Sequence, residues 1–549
     1  MKLIFDYEEE KITGHVPDAA DIDVGGNGSS SSGNGSEDHY DNGSGERYAE
    51  EDRIEKDDRT VGKILGEAER AKAGEVKEGE VEDQEDDTLT GLPSYLMRKD
   101  LPLPNVSEIN VVRHYTNLSR MNFGVDIGFY PLGSCTMKYN PKVNEDMAKL
   151  DGFRELHPLS HESCIQGALQ LFWELEQDLK KLTGMDNFSL QPAAGAQGEL
   201  LGVMIAKAFY KQKNEKRTKI IIPDSAHGTN PATAAMCKFE IVTIPSDSRG
   251  NMDIYKFKES LDQDVALVML TNPNTLGLFE EKILEISDLA HRNGTLMYCD
   301  GANMNALLGI TRPSDQGFDM IHLNLHKSFS TPHGGGGPGA GAVGVKSFLA
   351  DYLPLPRIIR ASTPQNGSKE FALDYSNQNS VGTLRYCYGN FGMLVRAYSY
   401  IRSWGTNIRR ISEHAILNAN YLLSLLREDY ELPYDRRCAH EFVLSSKKFG
   451  EKSALNIAKR LMDYGFHPPT IYFPLIVREA LLIEPTETES KETLDRFALA
   501  LTTIANEIKE NSNIVKEAPY TTPVGRLDEV AAARKPNLRW IPKSRSYDL

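Results

Sequence analysis

Three features that would place a chain of 549 residues in other classes of protein are missing from this sequence. It has no apolar run close to the roughly 20 residues that a membrane-spanning helix needs, so we expect no membrane association. Its six cysteines are widely spaced without a CxxC pair, which argues against a disulfide framework or a thiolate zinc site and favours a reducing cytoplasm. The N-terminus turns acidic after a few apolar residues, so we expect no secretory signal.

The sequence also has no surplus of basic residues, and its acidity is concentrated in one segment. The formal net charge is −16, but residues 1–90 alone carry 27 acidic and 10 basic side chains. The rest of the chain carries 51 acidic and 52 basic side chains and is therefore nearly neutral. Because nucleic-acid binding needs a basic patch or stripe, we expect no nucleic-acid partner.

The composition along the chain predicts a disordered segment and three folded segments. Residues 25–90 are rich in Gly, Asn and Ser and then in Glu and Asp, with few aromatic or branched side chains. Such a segment cannot bury enough apolar surface to offset its ordering entropy. We therefore predict an acidic disordered insertion after an N-terminal arm (1–24). It is followed by an N-terminal segment of the body (91–150), a large domain (151–385) and a small domain (386–549).

Short apolar runs alternate with helical patterns in the large domain. The runs KIIIP, EIVTIP, VALVML, TLMYC, MIHLNL and AVGV follow one another from Thr218 to Val345 without polar alternation, as is typical of strands covered on both faces. Helical patterns lie between several of them, for example over residues 280–294. This order predicts the α/β fold class, with an α/β/α sandwich as the large domain.

The C-terminal part has a different pattern. HEFVLS (440–445) and EALLIEP (479–485) have the character of strands, whereas residues 453–466 and a long stretch after Thr486 have helical spacing. A capping box from Thr486 to Glu489 is predicted to begin the last of these helices. We interpret this part as a smaller α+β domain.

Polar side chains follow the predicted strands of the large domain. In open α/β sheets, ligands bind at the carboxyl edge of the strands, where such side chains converge. The candidates are Asp224, His227, Thr271, Asn274, Asp300 and Lys327. We therefore expect the functional site at this edge.

The stretch NLHKSFSTPHGGGGPG (324–339) combines a lysine, hydroxyl groups and glycines, which suits close approach of backbone to an anion. Gly339, Gly341 and Gly344 fit the dinucleotide fingerprint GxGxxG, but that motif must open a helix, and AVGV continues here as a strand. Residues 333–336 match the HGGG element of lipases, but the chain contains no GxSxG nucleophile elbow. We reject both interpretations.

The third interpretation is pyridoxal 5′-phosphate (PLP) held as a Schiff base on Lys327. This chemistry needs a desolvated lysine, an acid facing the pyridine nitrogen, a flat group over the ring, and hydroxyl and N–H groups for the phosphate. The sequence offers Lys327, Asp300 in CDGANMNA and His227 in SAHGTNPA for the first three needs. For the rest it offers the start of an apparent helix in AAGAQGE and the neighbours of the lysine, namely Ala194, Gly195, Ala196, His326, Ser328 and Thr331.

Each of these residues alone has an ordinary explanation. A lysine after a strand is usually solvated, an aspartate before a helix is usually a cap, and a turn histidine is often structural. The order of phosphate loop, His227, Asp300 and Lys327 along one α/β unit would need several coincidences under those explanations. Their combination favours PLP.

Longer motifs add a resemblance to a known family. FYPLGSCTMKYNPK (129–142), LQPAAGAQGEL (190–200), SAHGTNPA, DGAN and NLHKSFSTPHGGGGPG resemble glycine dehydrogenase (decarboxylating), the P-protein of the glycine cleavage system. The resemblance is to subunit 2, the β subunit of the split form, and runs from about Leu92 to the C-terminus. It implies a fold-type-I, PLP-dependent transferase-like fold with Lys327 as the Schiff-base lysine, Asp300 as the partner of the pyridine nitrogen and His227 as the ring-stacking residue.

The resemblance also implies an activity and partners. These are decarboxylation of glycine with release of CO2, and transfer of the aminomethyl group to the lipoyl arm of H-protein. A companion α subunit (subunit 1) is implied, with two copies of each chain in a cytoplasmic heterotetramer. Asn117 and Ser119 are expected near the substrate carboxylate, and residues 133–138 (GSCTMK) at the mouth of the site. The chain departs from the expected pattern at Gln197, Thr383 and Tyr520.

Two alternatives remain from the residues. One is another fold-type-I enzyme, such as an aldolase-type lyase or a cysteine desulfurase, for which Cys135 is the candidate nucleophile. The other is a non-catalytic partner subunit that keeps the fold without the cofactor. The presence of both Lys327 and Asp300 argues against this second alternative.

Overall fold

The computed structural model describes residues 94–96, 106–332, 339–360, 370–385 and 388–538. The predicted disordered insertion (25–90), the N-terminal arm (1–24) and the HGGG segment (333–336) lie outside these residues. The chain forms two compact units, residues 1–111 and residues 112–549. The first unit is described only at a short 3-10 helix, Ser94–Leu96, and over residues 106–111.

A seven-stranded sheet forms the centre of the second unit. Its strands lie in the order β1-β7-β6-β5-β4-β2-β3. Their bounds are β1 Asn187–Ser189, β2 Lys219–Pro223, β3 Glu240–Ile244, β4 Val265–Leu270, β5 Leu296–Gly301, β6 Met320–Asn324 and β7 Gly341–Val345. Strands β2 to β6 are parallel, whereas β7 runs antiparallel to β6 and to β1. The six apolar runs are therefore all strands, and β1 is an addition that the sequence did not predict.

Several of the helices in the described residues pack against this sheet or against a smaller one. Their bounds are α1 Glu108–Arg120, α2 Lys142–Ala148, α3 Asp151–Arg154, α4 Gln166–Thr183, α5 Gly195–Gln212, α6 Thr229–Met236, α7 Ile254–Ser260, α8 Ile283–Arg292, α9 Phe391–Trp404, α10 Arg409–Leu426, α11 Ser453–Asp463, α12 Lys491–Glu517 and α13 Glu529–Arg534. Within the described part of the chain, no helix combines the length and apolar character that crossing a membrane requires.

Both faces of the large sheet are covered, which explains why its strands are apolar without alternation. Along β4, Val268 packs into a core formed with α4, α8 and α9. The next residue, Met269, packs into a second core formed with α5 and α6 on the other face. This arrangement confirms the predicted α/β/α sandwich.

The contact between α5 and the sheet allows a stability prediction. A Cβ atom on Gly202 would overlap the ring of Tyr298, which is fully buried and whose hydroxyl group is 2.6 Å from His322 Nδ1. We expect Gly202→Ala to lower the free energy of unfolding by about 1–3 kcal/mol, the usual cost of overpacking. The matched control is Gly167→Ala in α4, where the added methyl group meets open space. It should leave stability unchanged or raise it by up to about 1 kcal/mol. Chemical denaturation of both variants measures the difference, and equal stabilities would contradict the packing described here.

A second, smaller core lies in the C-terminal part. Three antiparallel strands form a sheet in the order β10-β12-β11, and a separate hairpin pairs β8 with β9. The bounds are β8 Arg357–Arg360, β9 Phe371–Asp374, β10 Phe442–Ser445, β11 Thr470–Ile471 and β12 Ala480–Ile483. Helices α10, α11 and α12 pack with this sheet around residues such as Leu444 and Leu501. The expected α+β arrangement is present, while the boundary at residue 385 stays a prediction.

The predicted capping box is wrong. Helix α12 begins at Lys491, and its N-cap is Ser490, whose side chain accepts the N–H of Thr493. Thr486 has φ of 58°, a left-handed backbone that is unsuited to an N-cap. Four residues of non-helical chain therefore separate the predicted cap from the helix.

Candidate active site

A cavity of about 360 Å³ opens at the carboxyl edge of the large sheet. Residues that follow or end β2, β4, β5 and β6 line it from one side, including His227, Thr271, Asp300 and Lys327. Segments 133–135 and 440–441 also line it. The expectation that polar side chains converge at this edge is therefore met for these four residues.

The structure brings seven of the nine predicted site residues to this cavity. They are Ala194, Gly195, Ala196, His227, Asp300, His326 and Lys327. Ser328 and Thr331 are buried but do not line the cavity. The hydroxyl group of Ser328 accepts the N–H of Met304 at 2.6 Å, because the turn after β6 directs it beneath that neighbouring loop. The cofactor-binding role of these two residues stays a prediction.

Lys327 is a buried lysine in the turn that follows β6. The residue is 9% exposed, and its Nζ donates a hydrogen bond to the backbone oxygen of Ser134 at 2.7 Å. No carboxylate lies within ion-pairing distance of it among the described residues. An amine held in one buried position inside the cavity is placed for condensation with an aldehyde.

Asp300 is the fifth residue of β5 and lies in the cavity wall. Its Oδ2 accepts the side-chain amide of Asn230 at 3.1 Å, and its Oδ1 accepts the N–H of Ala302 at 3.1 Å and lies 3.3 Å from His322 Nε2. Burial alone would raise the pKa of Asp300, but these neighbours together with Lys327 lower it. The carboxyl group is therefore charged although it is buried.

His322 is held in one orientation behind Asp300. Its Nδ1 is 2.6 Å from the hydroxyl group of Tyr298, which leaves Nε2 facing the carboxylate. Because burial lowers the pKa of His322, the ring acts on Asp300 as a neutral donor at neutral pH. The aspartate is thus a fixed anion, and not the helix cap considered as its ordinary explanation.

His227 lies at the open side of the cavity. Its Nδ1 is 2.9 Å from the hydroxyl group of Thr229, which in turn donates to Glu199 Oε2 at 3.0 Å. The ring also makes an edge contact with Phe473 at 5.5 Å between centroids. These contacts fix the imidazole plane at the rim.

The amino end of α5 forms another part of the wall. Ala194 is the N-cap, and Gly195 and Ala196 are the first helical residues. A side chain on Gly195 would collide with Asn324, so glycine is required where the helix approaches β6. The N–H groups at the start of an 18-residue helix form a favourable site for an anionic phosphate. Gln197 accepts the N–H of Ala193 at 2.7 Å and closes this turn.

The other residues implied by the resemblance lie in different places. Asn117 and Ser119 are exposed on α1 and do not line the cavity, whereas Ser134 and Cys135 do. Of the positions that depart from the family pattern, Thr383 and Tyr520 are both exposed. The hydroxyl group of Tyr520 donates to the backbone oxygen of Ile514 at 2.9 Å.

Cys135 does not have the character of a catalytic nucleophile. Burial raises the pKa of its thiol, Lys327 partly opposes that shift, and Glu484 adds to it. A reactive cysteine instead needs a lowered pKa in an electropositive, accessible setting. This geometry argues against the cysteine desulfurase alternative.

Sequence reasoning missed four titratable residues of the wall. Glu199, His322, His440 and Glu441 all line the cavity. His440 and Glu441 directly precede β10, so they occupy the amino end of a strand and fall outside the carboxyl-edge rule. The sequence signal for His440 and Glu441 is that two titratable residues begin the otherwise apolar run HEFVLS.

Several buried polar atoms around the cavity lack a hydrogen-bond partner among the described residues. They are Thr271 Oγ1, Asn324 Oδ1, Glu199 Oε1 and both ring nitrogens of His440. Such orphaned groups are rare in folded proteins unless a ligand or water satisfies them. Together with a buried lysine amine, a buried anion and a helix amino end, they fit a planar aldehyde that carries a phosphate and a ring nitrogen.

Two family models match the chain, and close relatives cover most of it. "Aminotransferase class-V" matches residues 201–349, and "Glycine dehydrogenase, C-terminal domain" matches residues 411–520. The probable glycine dehydrogenase (decarboxylating) subunit 2 of Caldanaerobacter subterraneus subsp. tengcongensis is 59% identical over 454 residues, or 82% of this chain and 92% of the relative. The protein of the same name from Desulforamulus reducens is 57% identical over 459 residues, which are 82% of this chain and 93% of the relative.

Solved structures show the same fold. A glycine decarboxylase (P-protein) of the glycine cleavage system, in inhibitor-bound form, superposes with a TM-score of 0.63 at 19% identity, covering 82% of this chain and all of the other. A cysteine desulfurase from Thermococcus onnurineus NA1 superposes with a TM-score of 0.52 at 16% identity, covering 74% of this chain and all of the other. At such identities the likeness concerns the fold alone.

The sheet, the cavity and these matches define the protein as a PLP-dependent enzyme of fold type I. At 59% identity over most of both chains, it belongs to the family of glycine dehydrogenase (decarboxylating) subunit 2. The resemblance seen in the sequence is therefore confirmed, as are the fold class and PLP as the cofactor.

Proposed function

We propose that this chain binds the cofactor and glycine in the decarboxylating step of the glycine cleavage reaction, and that the aminomethyl group then passes to the lipoyl arm of H-protein. One observation supports this most strongly. Asp300 and Lys327 line the same cavity in a chain that belongs to a glycine-decarboxylating family. When bound, PLP supplies an electron sink for the electron pair left on glycine as CO2 departs.

The side chains of the cavity have distinct tasks in this proposal. Lys327 holds the cofactor covalently, since it is the one lysine lining the cavity in the described residues. Asp300 keeps the ring nitrogen protonated, because a charged carboxylate beside the ring stabilises a proton on its partner. His227 covers the ring, and the amino end of α5 with Ala194, Gly195 and Ala196 binds the phosphate.

The departure of CO2 depends on how well water is kept from the cavity. Most side chains of the wall are polar, and Gly133, Pro273 and Phe473 are among the residues that carry no polar side chain. Loss of CO2 disperses a concentrated negative charge, so a site with little water favours it. Glycine needs no side-chain pocket.

A companion subunit completes the enzyme in this proposal. The relatives are named as subunit 2. Helix α1 is a candidate contact surface for this partner. None of its residues is buried, and the exposed apolar side chains of Val112, Tyr115 and Leu118 recur on it at helical spacing. Exposed apolar surface of this kind is typical of protein contacts. The companion is subunit 1, with two copies of each chain, and the acceptor is lipoylated H-protein.

The partner requirement can be measured by isotope exchange. The purified chain loaded with PLP should incorporate labelled bicarbonate into glycine only slowly. Adding subunit 1 and lipoylated H-protein should raise the rate by at least about tenfold, because closing an active site removes water and strengthens its electrostatic interactions. H-protein without the lipoyl group is the control and should not give the increase. Full exchange by this chain and H-protein without subunit 1 would contradict the proposal.

A further inference from the structure

A second cluster of titratable groups lies beside Lys327 and has no part in the proposal above. His440, Glu441 and Glu484 are 2%, 3% and 0% exposed, and one ligand-type atom from each lies within 4.8 Å of the others. Two carboxylates this close in a buried place cannot both be charged without a large cost. The pair therefore retains a proton.

Hydrogen bonds decide which carboxyl group holds that proton. Glu484 accepts the hydroxyl group of Thr136 at 2.8 and 2.9 Å, and its Oε1 also accepts the side-chain amides of Asn303 at 2.9 Å and Asn305 at 3.1 Å. Among the described residues, Glu441 accepts one donor, the N–H of Ser134 at 2.6 Å. Donors stabilise the charged form. Charge is thus favoured on Glu484, and the proton on Glu441.

The surroundings of Glu441 agree with this assignment. Burial raises the pKa of Glu441, and the charge of Glu484 raises it further, while Lys327 opposes both effects. His440 Nε2 is 3.8 Å from Glu441 Oε1. Burial lowers the pKa of His440 to about 3, so its ring is neutral and is not an acid at neutral pH. The titratable groups that interact with Glu441 are Lys327, Glu484, His440 and Cys438, and the Lys138–Glu487 ion pair lies beyond Glu484.

Glu441 is placed where this proton is accessible to substrates. Its side chain lines the same cavity as Lys327 and Asp300. Ser134 joins the two groups, since its N–H donates to Glu441 and its carbonyl oxygen accepts Lys327 Nζ at 2.7 Å. The acid thus comes from the segment before β10, whereas Asp300 comes from the large sheet.

The reaction of the proposed function consumes a proton, and the inference rests on that function. The bond between the glycine α-carbon and its carboxyl group breaks, and CO2 leaves. The electron pair left on the carbon forms a C–S bond with one sulfur of the lipoyl disulfide, and the S–S bond breaks. The carbon is oxidised and the disulfide is reduced. The second sulfur leaves with the electron pair of the S–S bond and takes up one proton to become a thiol.

We propose that Glu441 is the general acid that gives this proton to the departing lipoyl sulfur. The departing thiolate needs a proton inside the cavity, and a positioned acid commonly contributes about 10²- to 10⁴-fold to such a step. Cys135 is a poorer donor, because burial raises the pKa of its thiol. The hydrogen-bond donors around Glu484 stabilise its charged form, and this charge raises the pKa of Glu441.

Glu441→Gln tests the proposal in the complex of this chain with subunit 1 and lipoylated H-protein. Glutamine keeps the size and an acceptor for Ser134 N–H but has no acidic proton. We expect unchanged PLP absorbance and unchanged glycine binding by calorimetry, with aminomethyl transfer to H-protein slowed by about 100-fold or more. The matched control is Glu176→Gln, which alters a buried carboxyl group of α4 whose pKa burial also raises, away from the cavity. It should transfer at the wild-type rate.

The pH profile separates an acid from a structural residue. Because the protonated form is active, the wild-type rate should fall as pH rises through the raised pKa of Glu441, and this limb should be missing in Glu441→Gln. Glu441→Asp keeps an acidic proton and should keep the limb at a reduced rate. The proposal is overturned by wild-type transfer in Glu441→Gln, by a flat profile in Glu441→Asp, or by loss of PLP or glycine binding in the glutamine variant. Absence of transfer in the wild-type complex would instead remove the proposed function on which it rests.

Discussion

Lys327→Ala is expected to abolish the visible absorption of the bound cofactor and to lower glycine–bicarbonate exchange by about three orders of magnitude or more, the scale seen when a covalent catalytic group is removed. The physical reason is that no other lysine of the described residues lines the cavity. The nearest alternative in character is Lys138, a buried lysine that is already held by Glu487 at 2.7 Å and by the backbone oxygen of Ser328 at 2.8 Å. Absorbance of the purified variant and exchange by its complex with subunit 1 and H-protein measure the two effects.

The fold should survive this substitution. Alanine removes a buried amine whose one hydrogen bond among the described residues goes to Ser134 O, so circular dichroism and the melting temperature should change little. Lys142→Ala is the control, since this lysine is exposed and pairs with Asp126. It should keep both absorbance and exchange. Exchange at a wild-type rate in Lys327→Ala would show that the cofactor is held elsewhere.

Asp300→Asn is expected to keep PLP bound but to lower the exchange rate by about 10²- to 10³-fold, the usual effect of removing one key electrostatic partner. Asparagine has nearly the same shape and can still accept the N–H of Ala302. It has no charge, so it does not keep the ring nitrogen protonated, and the electron sink is weakened. Cofactor content measured against exchange rate separates binding from chemistry.

The control for this variant is an aspartate outside the site. Asp178 in α4 is partly buried and pairs with Arg402 at 3.0 Å, and it does not line the cavity. Asp178→Asn should exchange at the wild-type rate. If Asp300→Asn also exchanged at nearly that rate, the aspartate would have only a structural role.

Much of the large domain could be predicted from the sequence because of its parallel sheet. Parallel strands are buried on both faces, so β2 to β6 appear as continuous apolar runs. Their carboxyl ends meet at one edge, which allowed Asp300 and Lys327 to be placed together although 27 positions separate them in the sequence. Strand β1 escaped prediction because Asn187–Ser189 has three residues and only one large apolar side chain.

Other parts depend on tertiary contacts that local patterns do not record. Glu441 reaches Ser134 across 307 positions of sequence, so no spacing rule could associate it with Lys327. Adjacency was also misleading, since Ser328 follows the lysine directly yet its hydroxyl group lies against Met304. Thr486 matches a capping motif, but its left-handed backbone excludes it from that role.

The central claim is that Lys327 binds the cofactor opposite Asp300 in a glycine-decarboxylating enzyme, and reductive trapping tests it most directly. The wild-type chain loaded with PLP is treated with borohydride, digested and analysed by mass spectrometry. The account predicts one modified peptide, carrying a pyridoxyl-phosphate group on Lys327, and loss of that modification when glycine is added before the reductant. A modified peptide that contains Lys138 or another lysine instead, or no response to glycine in the complete complex, would contradict it.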